Sequence, residues 1–302
     1  MPSTEADSIE TSPEIESLLQ GAIDMHVHAD PSPFPRRITI VDAARQAGDE
    51  GFRAIVVKDH HQSMQPTLLA LQRELPSLGC EVFAGVALNA TVGGLNPHAA
   101  ELALKTGGRV VWMPTISSRA HLSERPHGTF PRSGTGAVQL MAPEPITILD
   151  ENGEILDVVV DIVDVVAEAD AILNTGHLGA DEIEKLIPLA RERGVQRIVV
   201  SHPNFIVGAP PERIADWVEQ GARMEYCLNM VLSGMLPVPD LLRYIEVSGA
   251  DATIFSSDLG QASRALPIEA FRHAVQVCLD EGLDEKLIQR FVRDNAESLL
   301  FG

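Results

Sequence analysis

Short runs of apolar, β-branched residues alternate along the chain with longer stretches whose apolar positions recur at helical spacing, the rhythm of βα units feeding a parallel sheet. Strands are predicted to begin near Ala22, Arg53, Glu81, Arg109, Ala171, Arg197, Ala222 and Ala252. Helices are predicted between and after them, near Thr39, Met64, Pro97, Asp157, Ala180, Pro211, Pro239 and Pro267, several opening on a proline suited to a first helical turn. A last helix is predicted from about Leu283 to Leu300. Regular units without a glycine-rich phosphate loop after the first strand favour a closed TIM-type (β/α)8 barrel over a doubly wound open sheet.

The interval between strands is even except after the fourth, where it doubles, so the segment from about 115 to 156 reads as an insertion. Its first part, Thr115 to Gly136, is rich in Ser, Pro, Gly, Arg and His without an apolar period, and is expected to be an irregular loop that could act as a lid. Its second part sets Asn152-Gly153 between Ile146–Leu149 and Glu154–Leu156, a β-hairpin signal. The domain reading is an acidic extension over 1–20 and a single barrel over 21–302.

Composition narrows the business of such a barrel. An apolar fraction of 45% in 302 residues fills a sizeable core. A net charge of −20 argues against nucleic acid and anionic membranes as partners and leaves small-molecule substrates, with a homo-oligomer compatible. Cys80, Cys227 and Cys278 are widely separated and lack CxxC spacing, which suggests neither a disulfide framework nor a cysteine zinc site. With no basic-then-apolar start and no membrane-length apolar window, a cytoplasmic location is expected.

The first predicted strand ends Asp24-Met25-His26-Val27-His28, and side chains two apart on a strand share a face, so His26 and His28 can address one point in the barrel mouth. The fifth strand runs into His177, the sixth into His202 and the eighth into Asp258, each just past the C-terminal end, where barrel enzymes keep their chemistry. A histidine satisfied by its neighbours explains any one of these placements, but not all at one end of the sheet. The second strand, Ile55-Val56-Val57, runs directly into Lys58, where a buried ammonium is costly unless paired or modified. Three readings of Lys58 stand open: a carbamate bridging two metals, a cation for a substrate carboxylate, or a partner of Asp59 or Asp258. His60, His61 and Asn89 are candidate substrate-binding residues on the same rim, with a solvent-facing or loop-shaping role as the alternative, and Asn96 is read in the same way. Arg36, Arg37, Arg119, Arg125 and Arg132 are rim arginines that could meet a carboxylate. No positional argument attaches to His98, His121, His127 or His273.

His26-x-His28, His177, His202 and Asp258 on strands one, five, six and eight resemble the metal-binding signature of the amidohydrolase superfamily, over nearly the whole chain. The resemblance implies that His26 and His28 bind the more buried metal, that His177 and His202 bind a second metal or orient substrate, and that Asp258 is both ligand and proton acceptor. It implies one or two divalent ions, zinc first and manganese, iron or nickel also suited, and hydrolysis of a C–N bond in an amide or cyclic amide, or of an ester or lactone, by metal-activated water. The chain departs on its fourth strand, which offers neither the lysine nor the glutamate that many binuclear members place there. Metal-dependent decarboxylases resembling aminocarboxymuconate-semialdehyde decarboxylase keep nearly the same residues and form the rival enzyme class, and a non-catalytic metal- or ligand-binding barrel is the remaining alternative.

Overall fold

The computed structural model describes residues 12–124, 138 and 140–302. Eight strands pair in parallel in chain order: β1 (Ile23–Val27), β2 (Ala54–Val57), β3 (Glu81–Ala87), β4 (Val110–Trp112), β5 (Ile172–Asn174), β6 (Arg197–Ser201), β7 (Arg223–Cys227) and β8 (Thr253–Ser256). Each begins within one residue of its predicted position. The end of β8 returns to β1 through His28 N–H to Leu259 O (2.7 Å) and Asp258 N–H to His26 O (2.9 Å), which closes the TIM-type (β/α)8 barrel.

The helices in chain order are α1 (Pro13–Leu19), α2 (Ile40–Asp49), α3 (Gln65–Ala70), α4 (Pro97–Lys105), α5 (Arg119–Glu124), α6 (Asp157–Glu168), α7 (Ala180–Glu192), α8 (Pro211–Glu219), α9 (Leu228–Leu232), α10 (Val238–Ser248), α11 (Pro267–Asp280), α12 (Glu285–Gln289) and α13 (Asn295–Leu300). Local chemistry starts them where the chain turns: Thr39 and Asp42 form a reciprocal capping box on α2, and Asn96 accepts from the first amides of α4. Apart from the exposed start of β3 the strands are buried on both faces, which is why most of them read as apolar runs instead of alternating ones. One apolar cluster lies between strands and helices; a smaller one fills the barrel with Ile23, Met25, Val56, Trp112, Ile172 and Ile254 and is plugged below by Ala296, Leu299 and Leu300 of α13. The second half of the predicted acidic extension joins this packing, since Ile15, Leu18 and Leu19 of α1 are buried beside α11 and α12.

Two expectations change in detail. The predicted loop after β4 is helical over α5, and its remainder, 125–136, with Arg125, His127 and Arg132, lies outside the described residues. The predicted hairpin contracts to a turn with one antiparallel bridge, Leu149 to Ile155. Its first arm is held elsewhere, because Thr147 Oγ and Ile148 N–H both donate to Glu182 Oε1 (2.6 and 3.1 Å). No helix among the described residues is long and apolar enough to cross a membrane.

The closing helix is also interrupted. A π-type turn over Arg290–Asp294 separates α12 from α13 and brings Asn295 under β8, where its Nδ2 donates to Ala250 O (2.8 Å) and Thr253 O (2.7 Å). Asn295→Ala leaves buried carbonyls unpaired and is expected to cost about 1–3 kcal/mol, read as a lower urea midpoint with an unchanged denaturant slope.

Candidate metal centre

At the C-terminal mouth of the barrel the strand ends bring six of the predicted side chains together. The register of β1 against β2 slips between Asp24 and Val27, the mark of a bulge. Asp24 holds the slip, its buried carboxylate accepting from His26 N–H (3.1 Å) and Ser257 N–H (2.9 Å). Met25 can thus fill the barrel core while His26 and His28, ring centroids 5.1 Å apart, both address the mouth. His202 and Asp258 sit at φ 52° and 51°, the left-handed region that costs a non-glycine residue roughly 1–2 kcal/mol. Such strain at two strand ends is typical of functional positions. The neighbouring backbone is fitted as closely: a Cβ on Gly260 would stand 1.5 Å from His28 O, and one on Gly176, just before His177, 2.2 Å from Met113 O.

The tautomer of His28 decides what the site can hold. His28 Nδ1 lies 2.9 Å from Lys58 O, and a carbonyl only accepts, so Nδ1 carries the hydrogen and Nε2 presents a lone pair. That lone pair faces Asp258 Oδ1 at 3.0 Å, and His26 Nε2 stands 3.3 Å from the same oxygen. A lone pair and a carboxylate oxygen at this distance repel unless a cation lies between them. A proton does not serve at neutral pH, because burial pushes the His28 imidazole down to about 3. A divalent cation does, and His26, His28 and Asp258 form a donor set close enough to hold one.

Around this trio His60, His121, His177 and His202 are buried. Burial lowers His202 to about 4 and His177 well below the usual imidazole range. His177 Nδ1 meets His121 Nδ1 at 3.0 Å with the rings stacked, and His177 Nε2 has no hydrogen-bond partner among the described residues. His202 Nε2 lies 4.0 Å from Asp258 Oδ2. Burial works to raise the Asp258 carboxyl, but His26, His28 and His202 outweigh it and hold it below the ordinary carboxylate range. Lys58 is 2% exposed, its Nζ 3.1 Å from His26 Nε2 and 5.4 Å from the Trp112 ring centroid. Burial lowers its pKa against the pull of Asp258 and Glu225.

The rim residues divide. His60 is buried, its ring tilted against that of His28 with centroids 4.9 Å apart and Nδ1 2.9 Å from Thr115 Oγ1, and so faces the centre. His61 turns instead onto Phe34, 4.8 Å between centroids. Asn89, a predicted substrate-binding residue, is committed to the framework: Oδ1 accepts from the amides of Thr115 and Ser117, and Nδ2 donates to His60 O and Thr115 Oγ1. It therefore positions the β4 loop. Asp59 pairs not with Lys58 but with Arg36 (3.3 Å) and Ser32 (2.6 Å). Arg37 meets Glu269, and Arg119 lies near Glu182.

Three site residues escape sequence reasoning. Glu225 of β7, held by Ser201 and lowered to about 2 by His26 and Ser201 against the opposing effect of burial, lies 3.5 Å from His26 Nδ1. Cys227 places Sγ 3.9 Å from His26 Nδ1 and 4.0 Å from His202 Nε2. His121 reaches in from α5. Only the alternation of Glu225 and Cys227 along β7 could have signalled the first two.

Residues 21–225 match the model of a family of unknown function, DUF6282. No curated protein matches the sequence. Among solved structures, an amidohydrolase from Pseudomonas aeruginosa is similar at TM-score 0.62 and 11% identity, over 95% of this chain and 97% of that one. The metallopeptidase dipeptidase AC is similar at TM-score 0.56 and 13% identity, over 93% and 98%. A lactonase from Listeria monocytogenes is similar at TM-score 0.55 and 12% identity, over 94% and 96%. At these identities the likeness establishes a shared fold.

Binding of a divalent cation to this donor set is expected to stabilise the native state, by about 2.7 kcal/mol when the free ion is at a hundred times its Kd. A thermal melt of chelator-treated protein titrated with zinc reads this as a rising Tm, and the double variant His28→Ala/Asp258→Ala should lose the rise.

Proposed function

The chain belongs to the DUF6282 family, whose function is unknown, and from the chemistry of its centre we propose that it is a metal-dependent hydrolase of the amidohydrolase superfamily acting on a small molecule, at the C–N bond of an amide or cyclic amide or at an ester or lactone. The observation that carries the reading is the approach of His28 Nε2 to Asp258 Oδ1 at 3.0 Å, with the His28 proton committed to Lys58 O. The shared fold of an amidohydrolase, a metallopeptidase and a lactonase supports the same class of reaction.

His26, His28 and Asp258 would hold the metal, with His177 and His202 as donors to a second ion or to the substrate oxygen. A divalent cation there supplies Lewis-acid polarisation of the scissile carbonyl and an acidified water. Asp258, the one partly exposed member with a side chain 15% accessible, takes the proton of the attacking water and returns it to the leaving group. His202, beside it, hydrogen-bonds the oxygen on which charge develops. Glu225 fixes the His26 ring by accepting from Nδ1, the carboxylate–histidine arrangement that raises a ligand's basicity. Lys58, whose pKa burial lowers, is suited in its neutral form to take up carbon dioxide, and its carbamate would replace the bridge that β4 does not supply.

The test is a screen of lactones and cyclic amides with zinc- or manganese-loaded protein. Asp258→Asn is expected to lower kcat by about 10²–10⁴ with a smaller effect on KM. Turnover that survives in Asp258→Asn at the wild-type rate would remove the assignment.

A further inference from the structure

His26 stands between two donor sets, one at each ring nitrogen. Nε2 faces Lys58 Nζ at 3.1 Å together with His28 Nε2 and Asp258, a set of nitrogen and oxygen donors, whereas Nδ1 faces Glu225 Oε1 at 3.5 Å and Cys227 Sγ at 3.9 Å, with His202 Nε2 4.0 Å beyond that sulfur. His26, His202 and Cys227 are all buried, and their donor atoms lie within 4.8 Å of one another. Zinc bonded tetrahedrally to sulfur at ~2.3 Å and nitrogen at ~2.0 Å sets those atoms roughly 3.6 Å apart, a few tenths of an ångström closer than they stand here. Small side-chain movements therefore suffice.

We propose that Cys227, His202 and His26 Nδ1 form a second metal position that takes a thiophilic ion, mutually exclusive with the position formed by His26 Nε2, His28 and Asp258. The proposal rests on the metal-centre reading above. Exclusivity follows from the imidazole, which in its neutral form has one lone pair and one N–H. An ion at Nδ1 displaces that hydrogen to Nε2, where Asp258 Oδ1 at 3.3 Å accepts it, and the Nε2 lone pair is then lost to the first position. The thiol hydrogen leaves to solvent as the thiolate forms. Soft thiolate sulfur favours zinc, cobalt and their like, and the carboxylate position favours manganese. The identity of the ion thus decides which side of His26 is occupied, and the ion on the sulfur side keeps Asp258 engaged as an acceptor.

Cobalt(II) serves as the probe, because a thiolate ligand gives it an intense near-ultraviolet charge-transfer band. The expected result is one cobalt per wild-type chain with the band. Asp258→Asn should keep the band, and Cys227→Ser should bind one cobalt without it. The Cys80→Ala/Cys278→Ala variant, which leaves Cys227 as the sole thiol, guards against misfolding of Cys227→Ser and should retain the band. Cobalt bound to wild type without the band overturns the proposal and leaves the metal centre standing. Two cobalt ions per wild-type chain overturn the exclusivity, and no bound cobalt in any form overturns the centre itself.

Discussion

A row of lone pairs pointed at one another across the seam of the barrel is the constraint on which the rest of this structure depends. The chain is closed where β8 meets β1, and the residues that close it, through His28 N–H and Asp258 N–H, are the residues whose side chains crowd the mouth. A neutral imidazole nitrogen 3.0 Å from a carboxylate oxygen repels it, so the seam is held by other contacts. Asp24 ties the backbone of both strands together below, Lys58 O fixes one ring and Glu225 the other. The packed interior around Trp112 gives the side chains little room to turn away.

Charge balance follows the same logic. Asp24, Glu225 and Asp258 are clustered in a nearly dry region of an acidic protein, and four lysines are present in the whole sequence. One of the four, Lys58, stands among them, with Asp258 and Glu225 the strongest influences opposing its desolvation. Carboxylates so placed are destabilising unless matched, and Lys58 in its protonated form supplies one match within the chain.

The strand order and most helix starts were legible because buried parallel strands are continuous apolar runs and prolines mark the first helical turns. His26, His28, His177, His202 and Asp258 were legible because each is a ligand-type residue directly after such a run. Glu225 and Cys227 were not, since Arg223-Met224-Glu225-Tyr226-Cys227 reads as a half-exposed strand and only closure turns both side chains inward. Asn89 looked available for a ligand because sequence gives residue type and rim position but not the amides of Thr115 and Ser117 that consume it. The break of the last helix at Arg290–Asp294 left no mark, because a π turn adds one residue without needing glycine or proline.

Contacts from the start of the insertion reach the centre at His177. His121 on the short helix after β4 shares a single hydrogen between its Nδ1 and that of His177, and Ser118 on the same stretch donates to His177 O (2.6 Å). Helix α5 is therefore tied to His177 at both its ring and its backbone. Which nitrogen of His177 offers a lone pair to the centre is thus set from a helix that lies outside the strands.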